Sequence, residues 1–339
     1  MNKKNHILIM RFSALGDVAM LIPVVYSLAK QYPDLRISVL SQDFIRPLYS
    51  SFPSNVEFIG ADIKNENKGI MGLFRLFLQL HKRKITMVAD MHDVLRTKFL
   101  RLLFNLSFIK TKHIDKHRKG KKDLCRQKDK VLTQQPTSFE NYMEVLEKIG
   151  YPIDLEFNSI IPENQQVNRN SNAVGIAPFA AHKGKIYPLE KMCNVIELLL
   201  EKGKEIYLFG GGKNEMNVFH EWQRKYGDKK IIVVGDIIKK DLLAEIKLMS
   251  TLSCMVSMDS ANQHLASLVS TRVVSIWGAT HPLAGFMAYR QNPADCVQVE
   301  LPCRPCSVFG NKPCIHGDYP CLNNIEPETI VNKIVGTII

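Results

Sequence analysis

The stretch ILIMRFSALGDVAM, residues 7–20, decides the fold class of this chain. Its apolar run at 7–10 predicts a buried strand, and helical spacing of apolar residues follows directly after the turn. That turn carries small residues and a carboxylate, among them Ser13, Gly16 and Asp17. The first strand-to-helix turn of an α/β protein is a common ligand-binding position. The stretch therefore predicts an α/β fold with a candidate site at its first turn.

Short apolar runs alternate with helical patterns along the rest of the chain. In the first half, strands are predicted at 7–10, 36–41, 56–59, 85–90 and 107–109, and helices at 18–31, 70–83, 94–105 and 138–149. In the second half, strands are predicted at 173–177, 204–209, 231–234, 254–257 and 272–276, and helices at 188–202, 213–226, 239–250, 260–269 and 326–337. This alternation predicts two parallel sheets, each covered by helices on both faces.

A polar stretch without apolar periodicity, PENQQVNRNSN at 162–172, is the predicted linker. It divides the chain into an N-terminal domain at 1–165 and a C-terminal domain at 173–325, followed by a terminal helix at 326–339. Both domains are expected to be Rossmann-like. They would face each other across a cleft, with the ligand at the carboxyl ends of both sheets.

The composition of the 339-residue chain, 45% hydrophobic and 23% charged, is typical of a soluble globular protein. No apolar run reaches the length of a bilayer span, and the first residues lack the features of a signal peptide. A cytoplasmic location is therefore expected. The eight cysteines agree with it, because a chain of this size needs no disulfide framework.

The net charge of +12 is concentrated in KTKHIDKHRKGKK, residues 110–122, called the basic segment below. It is either a solvated face or a contact for phosphates, on a nucleic acid, an anionic membrane or a phosphorylated substrate. A nucleic-acid partner is not expected, because the segment lacks interleaved aromatic residues and the chain has no recognised nucleic-acid-binding motif.

Asp17 has two interpretations. Aspartate is a good cap for a helix start and suits the positive end of the helix dipole. The small neighbours Ser13, Ala14 and Gly16 also leave room for a substrate to reach the carboxylate, and a general base needs that access.

Several turns of the second half are candidates for binding an anion. An apolar run ends in Asp259-Ser260-Ala261-Asn262 before a helix, and the next strand ends in another tight turn at 278–282. Small residues at a helix start let backbone N–H groups approach a phosphate. In YLFGGGKNE, 207–215, Glu215 stands where a dinucleotide fingerprint has its third glycine, so it either begins a helix or accepts ribose hydroxyls. HKGKIYP, 182–188, offers a lysine as a point charge for a diphosphate.

The last four cysteines have the spacing C-x2-C-x7-C-x6-C. A structural zinc site is one interpretation, and reduced, partly buried thiols are the favoured one. The residues concerned are Cys303, Cys306, Cys314 and Cys321.

Together these motifs resemble glycosyltransferase family 9, the ADP-heptose:lipopolysaccharide heptosyltransferases. The family's R-x-S-x-L-G-D-[VI] resembles residues 11–18, its D-[ST]-G-x-x-H-L-A resembles 259–266, and its F-G-x-T-x-P resembles 277–282. Its K-x-W-P element resembles 185–188, and its cysteine-bearing tail resembles 303–327. Motifs in the family order therefore span nearly the whole chain.

The resemblance implies a GT-B fold and an inverting transfer of heptose that needs neither a metal nor another cofactor, the nucleotide sugar being a co-substrate. Asp17 would be the general base and Lys185 would neutralise the departing diphosphate, with Lys183 as the alternative. The implied donor-binding residues are Glu215, Asp259, Ser260, Ala261, Asn262 and His264. The acceptor, a lipid-linked phosphorylated glycan, would meet Ser13, Gly16, Lys116, Arg118 and Lys119 at the inner-membrane surface, which makes the enzyme peripheral.

The chain departs from the family pattern on the donor side. Ala261 replaces a glycine, Asn262 replaces a residue that is usually apolar, and Tyr187 replaces a tryptophan. Alternatives are therefore the same transfer with another nucleotide sugar in surface-glycan synthesis, or a non-catalytic nucleotide-sugar-binding protein.

Overall fold

The computed structural model describes residues 5–227 and 230–336 and divides them into two α/β units. One unit contains residues up to 116 together with 138–160, and the other contains 117–137 and the residues from 161 onward. The predicted boundary at 165 differs from this division. No helix of the described residues is both long and apolar enough to cross a membrane.

The first unit is built on a five-stranded parallel sheet in the order β3-β2-β1-β4-β5. The strands are β1 (His6–Met10), β2 (Arg36–Ser41), β3 (Val56–Gly60), β4 (Met87–Asp90) and β5 (Lys110–His113). The helices of this unit are α1 (Leu15–Gln31), α2 (Gly69–His81), α3 (Leu95–Leu106) and α5 (Ser138–Ile149), and α4 (Arg118–Leu124) lies in the other unit. The central strand β1 is buried throughout, as expected of a parallel strand covered on both faces.

The second unit is built on a six-stranded parallel sheet in the order β11-β10-β9-β6-β7-β8. Its strands are β6 (Asn170–Ala177), β7 (Glu205–Leu208), β8 (Ile231–Val233), β9 (Leu252–Met258), β10 (Val273–Ile276) and β11 (Cys296–Val297). Its helices are α6 (Leu189–Glu201), α7 (Lys213–Tyr226), α8 (Val234–Ile237), α9 (Leu242–Thr251), α10 (Ala261–Ser267), α11 (Pro320–Asn323) and α12 (Pro327–Val335). The two parallel sheets confirm the predicted GT-B class of architecture.

The strand prediction at 107–109 is wrong, because Phe108 has a positive φ of 58° in a turn and the edge strand begins at Lys110. The sequence also missed β11, which has two residues, and the short helix α4. Such elements are too short to show a period. The predicted terminal helix begins as expected, but residues 337–339 of that prediction lie outside the described residues.

Segment 117–137 groups with the second unit although it was predicted to belong to the N-terminal domain. Its contacts give the reason: Lys130 Nζ donates to the Pro305 carbonyl at 3.0 Å, and the Gln135 N–H donates to the Leu283 carbonyl at 2.9 Å. The Lys121 ammonium lies 4.4 Å from the centre of the Phe286 ring. Long-range contacts of this kind carry no local sequence signal.

Candidate active site

The first group of candidate residues lies where the strand order of the first sheet reverses. From β1 the chain proceeds to β2 and β3 on one side, then returns to β4 on the other side of β1. The crevice outside the carboxyl ends of two such strands is the usual ligand position in open α/β sheets. Asp17 follows β1, and His92 follows β4, so both belong to this edge.

Asp17 is the third residue of α1, and its carboxylate has two partners. Oδ2 accepts a hydrogen bond from the Ala14 N–H at 3.3 Å and forms an ion pair with Arg11 Nη2 at 2.6 Å. The Asp17 side chain is 31% exposed, whereas that of Arg11 is 8% exposed. The carboxylate therefore caps the N-terminus of α1 and also remains accessible to a substrate.

Arg11 connects the turn that carries Asp17 to neighbouring segments of the first unit. Its Nη1 donates to the Met91 carbonyl, and its guanidinium lies 5.6 Å from the centre of the Tyr142 ring. The Tyr142 hydroxyl in turn donates to the Asp17 carbonyl at 3.1 Å. Groups from β1, β4 and α5 thus hold the Asp17 turn in one position.

His92 is a candidate site residue that the sequence reasoning missed. Its Nδ1 accepts a hydrogen bond from the Phe12 N–H at 3.4 Å, so the neutral ring carries its proton on Nε2, 3.4 Å from Ser13 Oγ. Burial, with the nearby cations Arg11 and Lys116, lowers the pKa of His92 to about 4. The ring is therefore a neutral donor to Ser13. The sequence feature that could have identified His92 is its position just after the predicted strand 85–90, at the carboxyl end of the sheet.

The basic segment divides into parts with different surroundings. Lys110 begins β5, directly after the predicted strand 107–109, and its Nζ donates to the Ile149 carbonyl at 2.6 Å. Lys116 remains in the first unit and donates to the Asp93 carbonyl at 3.2 Å. Arg118 and Lys119 are exposed on α4 of the second unit, whereas Lys121 is buried.

The second group of candidate residues lies at the reversal point of the second sheet. The chain runs from β6 to β7 and β8 on one side, then returns to β9 on the other side of β6. Lys185 follows β6 and Asp259 follows β9, and their Nζ and Oδ2 atoms are 3.0 Å apart. The two residues were predicted separately from two motifs, and their ion pair was not predicted. Lys183, the alternative, is exposed.

The turn at 277–280 and the cysteine-bearing tail support Lys185. The Ala279 N–H donates to the Gly184 carbonyl at 2.8 Å, and a Cβ on Gly310 would lie 2.4 Å from Lys185 Cγ. Glycine at 310 therefore permits close packing against the lysine stem. Arg304, missed by the sequence reasoning, is buried and donates to the carbonyls of Trp277, Gly278 and Thr280 at 2.6–3.2 Å.

The start of α10 presents the small residues that were predicted. Ser260 precedes the helix, with its Oγ 3.2 Å from that of Ser257, and Ala261 is the first helical residue. Ala261 has no positive φ, so this position does not require the glycine of the family motif. Asn262 is half-buried and His264 is buried. Gln263 Nε2 donates to Asp259 Oδ1 at 3.2 Å and so orients the carboxylate.

Glu215 lies in the first turn of α7, after β7. Its Oε2 accepts from the N–H groups of Gly211 and Gly212 at 2.9 and 3.3 Å. A Cβ on Gly210 would lie 2.6 Å from the same oxygen and 2.8 Å from the ring of the buried Phe219, so a larger residue there would displace the carboxylate. The Glu215 carboxylate is thus held by the loop that follows β7. This strand is the neighbour of β6, the strand after which Lys185 lies.

The four C-terminal cysteines are free thiols. Across residues 5–227 and 230–336, no group of three or more His, Cys, Asp or Glu side chains is arranged to hold a metal ion. Burial raises the pKa of Cys306 and of Cys321. Both therefore favour the protonated thiol.

Two α/β units, each built on a parallel sheet, define the fold class of this protein as GT-B. The structure aligns with that of a glycosyl transferase family 9 protein from Veillonella parvula at a TM-score of 0.71 and 17% identity, over 98% of this chain and 97% of that one. It also aligns with E. coli heptosyltransferase WaaC with ADP-2-deoxy-2-fluoro heptose at a TM-score of 0.67 and 16% identity, over 94% and 96% of the two chains.

The sequence comparisons identify the family. The chain is 23% identical to lipooligosaccharide heptosyltransferase 2 of Campylobacter jejuni over 324 residues, 94% of each protein. The model of glycosyltransferase family 9 (heptosyltransferase) matches residues 74–314. This chain belongs to glycosyltransferase family 9, and it is an enzyme of that class.

Proposed function

We propose that this enzyme transfers a heptose, with inversion, from ADP-heptose to the inner core of lipopolysaccharide. The single observation that carries the proposal is the Lys185–Asp259 ion pair at the reversal point of the second sheet. An ammonium held at that edge suits a diphosphate leaving group. The ligand of the aligned WaaC structure supports heptose. The Campylobacter relative is named a lipooligosaccharide heptosyltransferase, and a relative from Escherichia coli is named lipopolysaccharide heptosyltransferase 3, which supports an acceptor of this class.

In the proposed reaction an acceptor hydroxyl attacks the anomeric carbon of the heptose. The new C–O bond forms as the bond from that carbon to the diphosphate breaks, the proton passes to the Asp17 carboxylate, and ADP leaves. Asp17 suits this role because its carboxylate is held by Arg11 and remains partly exposed.

The leaving group requires charge stabilisation as its bond breaks. We assign this to Lys185, which would exchange part of its contact with Asp259 for the diphosphate. Backbone N–H groups at Ser260, Ala261 and Asn262 would contact the phosphates, with His264 beside them. Glu215, already oriented by Gly211 and Gly212, would accept the ribose hydroxyls.

The proposed transfer uses only side chains and the nucleotide sugar, so we expect turnover to continue in the presence of a metal chelator. On the acceptor side, Ser13, Gly16 and Lys116 belong to the Asp17 edge, and Arg118 and Lys119 would contact acceptor phosphates. The acceptor is lipid-linked, so we propose a peripheral enzyme at the cytoplasmic face of the inner membrane.

A donor screen tests the proposal. Nucleotide release is measured with a lipopolysaccharide inner-core acceptor and ADP-heptose, GDP-sugars or UDP-sugars in parallel. Acceptor-dependent release from ADP-heptose alone is the expected result. Release from a different donor would replace heptose by that sugar, and binding without any release would indicate a nucleotide-sugar-binding protein.

A further inference from the structure

Helices α2 and α3 of the first unit expose large apolar side chains on faces that point away from the core. Both helices bury their other faces in one core cluster, where the Phe77 and Phe104 rings are 5.1 Å apart. The exposed residues, called the α2–α3 patch below, are Ile70, Met71, Phe74, Leu102, Leu106 and Phe108. Phe108, at the end of α3, is 99% exposed.

The exposed residues form stripes instead of being scattered. On α2, residues 70, 71 and 74 lie on one side, opposite the buried Leu73, Leu76 and Leu80. On α3, Leu95, Leu102 and Leu106 are spaced i, i+7 and i+11, which places them along one line of the helix. Exposed apolar patches rimmed by polar residues are typical of interaction surfaces.

The charges beside the patch are predominantly positive, although Asp93 pairs with Lys98 at 3.6 Å and with Arg101 at 3.1 Å. Residues 67–89 and 94–114 contain no aspartate or glutamate, whereas they contain ten lysines and arginines. Arg96 and Lys98 flank the α3 stripe on its two sides, and both are exposed. Long cationic side chains beside an apolar stripe can bury their stems while their charges meet anionic headgroups.

We infer that the α2–α3 patch is a docking surface for an anionic lipid bilayer, with both helices lying in the interface. A second copy of this chain fits less well, because a self-contact would bring together two surfaces on which lysine and arginine greatly outnumber aspartate and glutamate. An anionic membrane supplies the opposite charge. The inference rests on the proposed function for its purpose, which is to bring the enzyme to a lipid-linked acceptor.

Vesicle sedimentation of the full chain tests this surface. A variant with Leu102→Ser, Leu106→Ser and Phe108→Ser is compared with wild type on vesicles of phosphatidylglycerol and phosphatidylethanolamine. The control variant carries Val167→Ser, Ile237→Ser and Ile315→Ser, which are exposed apolar residues of the second unit. All six positions are exposed, so both variants are expected to fold.

We expect the patch variant to bind these vesicles at least about tenfold more weakly, equivalent to about 1.4 kcal/mol, with the control variant unchanged. Wild-type binding should weaken on phosphatidylcholine vesicles and in high salt. Equal vesicle binding by all three proteins would overturn the inference. So would loss of a concentration-dependent dimer in the patch variant without loss of vesicle binding, because the patch would then be a self-association surface.

Turnover on a water-soluble, delipidated core oligosaccharide separates this inference from the proposed function. The patch variant should keep wild-type turnover on that acceptor, because the patch contains none of the proposed catalytic or binding residues. If wild type shows no transfer while the vesicle difference persists, the proposed function fails and the docking surface remains.

Discussion

At the residue scale, Lys185 and Lys183 stand two positions apart but have different surroundings. Lys185 is half-buried and lies 3.0 Å from Asp259, whereas Lys183 is exposed. Lys185→Ala should therefore weaken ADP binding and lower turnover, because the leaving diphosphate loses its counter-ion. Lys183→Ala is the matched control and should leave both near wild type. If Lys183→Ala lowers ADP binding and turnover while Lys185→Ala leaves both unchanged, then Lys183 is the diphosphate contact and the assignment to Lys185 is wrong.

His92 predicts a pH dependence of stability. Its pKa is about 4 in the folded protein against an ordinary 6.5, so the unfolded chain binds more protons between those values. The contribution of the neutral ring is therefore fully present above pH 6.5 and is lost as the pH falls toward 4. The urea midpoint of His92→Gln should fall less from pH 7 to pH 5 than that of wild type. The pKa of His281 is also lowered, but His281 is present in both proteins and so contributes equally to both. An equal fall of the urea midpoint in the two proteins would therefore contradict the prediction.

The site residues differ in how far sequence could predict them. Asp17, Lys185 and Asp259 belong to motifs that are recognisable along the chain, so the amino-acid sequence alone was enough to propose their roles. His92 and Arg304 are recognised only through contacts with distant segments, at Phe12 and at the 277–280 turn. Sequence spacing carries no information on contacts of that range.

At the element scale, the turn at 277–280 depends on one buried arginine. Arg304→Leu removes the donor to three backbone carbonyls of this turn and to that of Val299, and each buried group left without a partner costs about 1–3 kcal/mol. We expect the free energy of unfolding to fall by at least about 3 kcal/mol. Arg224→Leu, at an exposed position of α7, should change it by less than about 0.5 kcal/mol. Chemical denaturation of both variants measures the difference, and equal stabilities would refute it.

The helix α4 predicts which cations of the basic segment contact the acceptor. Arg118, Lys119 and Lys122 are exposed there, and each cation near an anionic surface contributes about 1 kcal/mol. Replacing these three by glutamine should raise the acceptor KM by up to about 10²-fold, equivalent to about 3 kcal/mol, and leave donor affinity unchanged. Lys121→Gln is the control: it should act on stability, because Lys121 is buried against Phe286. An unchanged acceptor KM in the triple variant would make the segment a solvated face.

Elements with clear periodicity were predicted within a few residues, and the others were not. The buried strands β1, β4 and β9 each contain a short apolar run, and α1 and α7 have strong helical spacing. By contrast, β5 reads Lys-Thr-Lys-His, an edge strand with little burial, so its hydrophobic signal is absent. Its position is set by pairing with β4, which only the folded sheet provides.

At the scale of the whole molecule, both sheets place their charged residues at the point where strand order reverses. Sequence predicted two parallel sheets from the βαβ alternation, but it could not give the strand order that creates these reversal points. The order places Asp17 between β1 and β4, and the Lys185–Asp259 pair between β6 and β9. One topological rule thus explains the position of the proposed base and of the proposed diphosphate contact.

The central claim is that the Asp17 carboxylate is the base of a heptosyl transfer, and the most direct measurement is the turnover of Asp17→Asn with ADP-heptose and an inner-core acceptor. ADP affinity and melting temperature are measured on the same samples, because Arg11 loses its ion pair and some stability with it. We expect the turnover of Asp17→Asn to be about 10²–10⁴-fold below wild type, with ADP affinity unchanged. Turnover close to wild type in the folded variant would contradict it.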